Sequence, residues 1–123
     1  MRKTAQLITT ASALVTILGA LSLSPQIAIA SDAQVIEQGK QIAFDRKKGN
    51  CLSCHMIDGG DMPGNVGPPL VAMKARFPDK AILRAQIWDA TKNNPNTMMP
   101  PFGRHAILTE AEIDKVVEFI YSL

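Results

Sequence analysis

The sequence predicts an all-α fold of three main helices joined by two long irregular loops. Two features of patterning carry that prediction. Apolar residues recur at helical spacing in three stretches, and nowhere alternate as they would along a half-buried strand. The intervening segments are rich in chain-breaking residues: residues 49–77 alone hold five glycines and three prolines.

The first thirty residues stand apart. Arg2 and Lys3 precede a mostly apolar run from Leu7 to Leu23, and Ala28-Ile29-Ala30 offers a small-residue cleavage site ahead of Ser31. This is the layout of a secretory signal peptide, cleaved after Ala30 and directing the product to the periplasm. The run is broken by Thr9, Thr10, Ser12, Thr16 and Ser22, and falls short of the roughly 20 apolar residues a span needs. A membrane anchor is therefore not expected, and no other stretch could cross a bilayer.

Residues 31–123 then form one small domain. The full chain carries 13 basic and 11 acidic residues, and loss of Arg2 and Lys3 leaves the two signs balanced. Without a single-sign surplus, bulk charge gives no grip on nucleic acid or on anionic lipid.

The first helix is expected from about Asp32, as its cap, to Lys47, with Val35, Ile36, Gln38, Gly39, Ile42 and Ala43 in register. Gly39 costs a helix interior about 1 kcal/mol relative to alanine, so its presence implies a close neighbouring backbone. The second helix begins near Pro78 or Asp79, carries Ile82, Leu83, Gln86, Ile87 and Ala90, and stops before Asn93-Asn94-Pro95. Trp88 sits beside its apolar stripe and could line either core or cofactor. The third opens with the capping box Thr109-Glu110-Ala111-Glu112, and its stripe of Ile113, Val116, Val117, Ile120 and Tyr121 needs a partner that the Gly39–Phe44 region can supply.

A domain of this size with six aromatic residues buries only a modest core, and small domains commonly add a disulfide, a metal or a prosthetic group. Both cysteines lie in "GNCLSCHMIDGG". A bridge between positions 51 and 54 would close a tiny loop and remove little chain entropy. Cys51-Leu52-Ser53-Cys54-His55 is instead C-x-x-C-H, the attachment signature of covalent haem c. Its spacing matches two thioether bonds from Cys51 and Cys54, with His55 as proximal iron ligand. A thioredoxin-like pair would follow a strand, and a structural zinc site needs four ligands, commonly from paired knuckles, whereas the one spare histidine, His105, lies fifty residues on.

An iron-bound imidazole is held by a partner on its other ring nitrogen. Gly67-Pro68-Pro69-Leu70 is rigid enough to present a backbone carbonyl, and Pro68 is the expected donor of it. For the other face of the iron the candidates are Met56, Met62, Met73, Met98, Met99 and His105. Met99 is preferred because the prolines that follow it stiffen the chain in an extended form; Met98 is second and His105 third. Histidine–methionine ligation leaves no open coordination position, which suits electron transfer better than substrate binding. Arg46-Lys47-Lys48 reads as a solvated helix end or as a docking site for an acidic partner. No catalytic set is recognisable.

These features together resemble the class I cytochromes c. More narrowly, "DMPGN", "GPPL", "RAQIWDAT", "NPNT" and "MPPFGRH" make residues 31–123 similar to the SoxX family of monohaem cytochromes. The resemblance implies one covalent haem c in a class I fold, the ligand roles given above, and a periplasmic heterodimer with a SoxA-like cytochrome. In such a complex thiosulfate is oxidatively joined to a carrier-protein cysteine (L-cysteine S-thiosulfotransferase). The sulfur chemistry would lie on the partner, and electrons would pass through this chain to an acceptor cytochrome. The alternative is a free-standing periplasmic electron shuttle of another respiratory chain.

Overall fold

Helix formation follows from where apolar stripes find partners and where side chains compete for backbone donors. The structure is a computed structural model that describes residues 31–123, so the leader lies outside the described residues. Helices α1 (Asp32–Phe44), α2 (Met73–Arg76), α3 (Lys80–Trp88) and α4 (Glu110–Tyr121) are joined by loops that include 3-10 turns at Cys51–Ser53 and Ala90–Lys92. No strand occurs among the described residues.

Helix α1 differs from expectation at both ends. Ser31 occupies the cap and its N–H donates to Gln34 Oε1 at 3.0 Å, so Asp32 is the first helical residue rather than the cap. The helix stops three residues short of Lys47. Asp45 turns extended, its Oδ1 accepts from the Lys47 N–H at 2.8 Å, and its carbonyl accepts from the N–H groups of Lys48 and Asn50 at 3.0 Å each. A short acidic side chain that captures nearby donors offers the backbone an alternative to continuing the helix. The reversal lets the Gly49 N–H reach Ile42 O at 3.1 Å.

The frame is the crossing of α1 and α4. Gly39 lies against the backbone of α4, where an added Cβ would overlap the Lys115 carbonyl and stand 2.9 Å from Phe119 Cβ. Next to this contact, Phe44 and Phe119 meet edge to face at 5.7 Å. The inner stripe of α4, Ile113, Val116, Val117, Phe119 and Ile120, is buried. Its N-terminus forms the capping box, with the Glu112 N–H donating to Thr109 Oγ1 at 3.3 Å and the Thr109 N–H donating to Glu112 Oε2 at 3.0 Å. Lys48 also donates to Glu112, and together these bonds hold the Glu112 carboxyl at about 2. That ion pair ties the segment before the cysteines to α4, giving part of the basic run a structural partner.

Helix α3 is capped by Asp79, whose Oδ1 accepts from the Ala81 N–H at 2.8 Å. Leu83 and Ile87 turn inward with Ala90 beyond the helix end, while Ile82 is 54% exposed. Ile82 belongs to the outer face because it lies about 100° around the helix from Leu83. Arg84 joins the outer face to α4 through Asp114 Oδ1 at 2.6 Å and lies 5.4 Å from the Trp88 ring centroid. One-turn helix α2 was not expected. It seats Met73 in the core at 1% exposure, and its Met73 N–H donates to Leu123 O at 2.9 Å.

Gly39→Val places two methyl groups where Lys115 and Phe119 already stand, and overpacking of this kind costs about 2 to 3 kcal/mol. Denaturant unfolding of the holoprotein should show a lower midpoint with an unchanged slope.

Candidate haem site

The five residues of the C-x-x-C-H stretch form a tight turn because Asn50 ahead of them adopts a left-handed conformation (φ 47°), which asparagine tolerates better than most residues. Cys51 O then accepts from the N–H groups of Cys54 at 3.2 Å and His55 at 2.9 Å, and Ser53 Oγ donates to Asn50 O at 2.8 Å. Both thiols and the imidazole emerge from this turn into one cavity of about 630 Å³.

The loop that follows is laced back onto the turn. Gly64 N–H donates to Leu52 O at 2.7 Å, Gly67 N–H to Cys54 O at 2.8 Å, and Leu70 N–H to Met56 O at 2.9 Å. Against this support His55 Nδ1 stands 2.7 Å from Pro68 O. A carbonyl can only accept, so Nδ1 carries a proton, and in the neutral imidazole the lone pair is then on Nε2. The neighbouring carbonyl of Pro69 is engaged by Arg76 Nη1 at 2.7 Å. Gly67 is small for a reason, since a Cβ there would stand 2.6 Å from His55 Nδ1.

The cavity separates the six distal candidates. Met73, Met98 and Met99 line it; Met56, Met62 and His105 do not. Met73 is committed to the core, with its Sδ 3.5 Å from Arg76 Nη1. Met98 is 79% exposed, whereas Met99 is partly buried and packs against the core. The Met99 N–H is fixed by Thr97 Oγ1 at 3.1 Å. Trp88, the other open assignment, is not a cavity residue. Gly103 packs directly on its ring, and the Gly103 N–H donates to Trp88 O at 3.0 Å.

The residues present fit a covalently held porphyrin. Beyond the two thiols, the imidazole and the thioether, the wall is mainly apolar and includes Leu70, Phe77, Leu83, Ile87, Val116 and Ile120. Apolar walls with a few convergent polar groups are what a large, flat, mostly apolar cofactor needs. Burial pushes the Cys51 thiol up to about 11, opposite to the depressed value of a redox-active thiol pair. No cluster of three or more His, Cys, Asp or Glu that could hold a bare metal ion occurs among the described residues. No helix among them is long and apolar enough to cross a membrane.

Sequence reasoning missed two contributors to this region, Thr97 and the pairing of Asp89 with Arg104. Asp89 is the one buried charged residue among those described, 3% exposed, and its Oδ2 accepts from Arg104 Nε at 3.1 Å. Both occur inside the strings "RAQIWDAT" and "MPPFGRH", but charged residues fifteen positions apart give no pairing signal of their own.

Comparison with known proteins agrees with this architecture. One curated relative is an uncharacterized lipoprotein of Aquifex aeolicus (strain VF5), 33% identical over 76 residues that make up 61% of this chain and 37% of that protein. The chain thus matches well under half of that relative's length. The crystal structure of SoxXA from P. pantotrophus contains a chain that superposes with a TM-score of 0.63 at 28% identity, over 70% of this chain and 79% of that one. The cytochrome c family model matches residues 36–123. An all-α class I cytochrome c fold around a C-x-x-C-H turn, together with that match, shows that the chain belongs to the cytochrome c family of electron-transfer proteins, whose members bind haem c covalently.

Proposed function

We propose that this chain is the monohaem, electron-accepting subunit of a SoxAX-type complex that oxidatively conjugates thiosulfate to a carrier-protein cysteine. The observation that carries the reading is the convergence of Cys51, Cys54, His55 and Met99 on one apolar cavity, in a fold similar to a chain of SoxXA. In this reading Cys51 and Cys54 hold a single haem c through thioethers, His55 is the proximal ligand and Met99 the distal one. When bound, the haem would supply a one-electron redox centre, held by Cys51, Cys54, His55 and Met99.

The chain's own residues hold that centre and keep its surroundings dry. Pro68 O keeps the proton of His55 on Nδ1, leaving Nε2 the nitrogen free to bind metal. The stretch after Met99 limits the freedom of its thioether, because Met99 and Pro100 both precede proline. Leu83, Ile87 and Val116 exclude water from the interior face, which favours the less charged, reduced form of the site. The two cysteines are both consumed by attachment, so a sulfur-bearing catalytic thiol would belong to the partner. The leader expected in residues 1–30 would direct the protein to the periplasm, where a SoxA-like subunit, the carrier protein and an acceptor cytochrome would meet it.

Purification of the holoprotein from its native source should yield a stable heterodimer with a larger cytochrome. A monomer that exchanges electrons with other cytochromes, with no such partner, would favour the free-standing shuttle instead. Gly67→Ala should displace the His55 ring and alter the visible spectrum of the haem, while the covalently attached haem per chain and the helical circular dichroism are kept; an unchanged visible spectrum would remove His55 and its loop from the assignment.

A further inference from the structure

The loop that carries Met99 leaves the end of α3 and returns to it. On the outgoing side the N–H groups of Asn93 and Asn94 donate to Ala90 O at 3.2 and 3.1 Å, and Asn93 Nδ2 donates to Gln86 Oε1 at 2.7 Å. On the returning side Trp88 O accepts from the N–H groups of Gly103 at 3.0 Å and Arg104 at 3.4 Å. One side chain joins the two sides. Asp89 Oδ1 accepts from Thr91 Oγ1 and from the Thr91 N–H at 3.2 Å, while Oδ2 accepts from Arg104 Nε at 3.1 Å. The hydrogen bonds from Thr91 hold its carboxyl below the usual carboxylate range.

We infer that Asp89 and Arg104 are positioning residues for the distal iron ligand, forming a clamp at the base of the loop that holds the Met99 thioether over the cavity. The inference rests on Met99 as that ligand. A buried carboxylate is retained only where its bonds outweigh its desolvation, and these bonds run to both limbs of one loop. Arg104 does little for the core, being half exposed. The pair restricts how far the base of the loop can spread and so the range of positions open to Met99. Thr97 restrains Met99 from within the loop, through the bond to its N–H. Gly103 on the Trp88 ring adds a flat contact beside the ion pair without replacing it.

The test uses ferric holoprotein with imidazole as the probe, because an external ligand binds only when the methionine swings away. Removing one hydrogen bond to a buried charge typically releases enough free energy to shift such an equilibrium about 10-fold. Asp89→Asn and Arg104→Gln should each bind imidazole about 10-fold more tightly and weaken the methionine-sulfur charge-transfer band, with helical circular dichroism unchanged. Arg104→Lys, which keeps a cation in reach of Asp89, should recover much of the wild-type behaviour. If Asp89→Asn fails to assemble, Arg104→Gln decides, since it removes a half-exposed side chain. Imidazole affinity within about twofold of wild type in Arg104→Gln overturns the clamp, even if its unfolding midpoint falls. A parallel Met99→Ala variant reads the ligand assignment alone: loss of the band upholds Met99 whatever the clamp variants do, and a retained band overturns both.

Discussion

The structure depends on one constraint: two thiols, an imidazole and a thioether must reach a single apolar cavity from segments more than forty residues apart. A short chain meets it by spending few residues on helix and many on loops. The crossing of α1 and α4 at Gly39 supplies the rigid frame. The loops hang from that frame, and their hydrogen bonds run mostly to one another and to the helix ends. Each helix end is accordingly also an anchor: Asp45 turns the chain toward the cysteines, and the end of α3 holds both limbs of the Met99 loop.

The two faces of the cavity are built differently. The cysteine side is fixed by backbone, with Leu52, Cys54 and Met56 carbonyls stitched to the following loop, so His55 inherits its position from main-chain geometry. The methionine side is held at its base, by main-chain bonds to Trp88 O and Ala90 O and by the Asp89–Arg104 pair, with prolines between. That difference would suit the proposed site, with the cofactor joined covalently on the cysteine side and ligated on the methionine side.

Much of the frame was legible because periodicity and capping are local. Thr109 and Glu112 declare the start of α4 three residues apart, and Gly39 announces a close crossing because little else justifies glycine in mid-helix. Asp79 likewise marks the start of α3. What escaped the sequence was competition or distance. Asp45 ends α1 early by capturing backbone donors that periodicity assigns to the helix, Ser31 caps in place of Asp32, and Ile82 falls outside a stripe whose width the sequence does not define. Helix α2 is one turn long, too short for any repeat to show. At the site, Cys51, Cys54 and His55 are readable from spacing alone. The separation of Met99 from Met98 needs exposure, and the Asp89–Arg104 pair needs a fold, since a lone aspartate and a lone arginine both read as solvated surface.

The central claim is that a porphyrin is joined to the chain through Cys51 and Cys54 and completes its interior. Intact mass spectrometry of the exported protein under denaturing conditions tests this most directly, because a thioether survives unfolding and a merely ligated haem does not. The account predicts a single species heavier than the polypeptide by one haem. A polypeptide mass with two alkylatable thiols would contradict it.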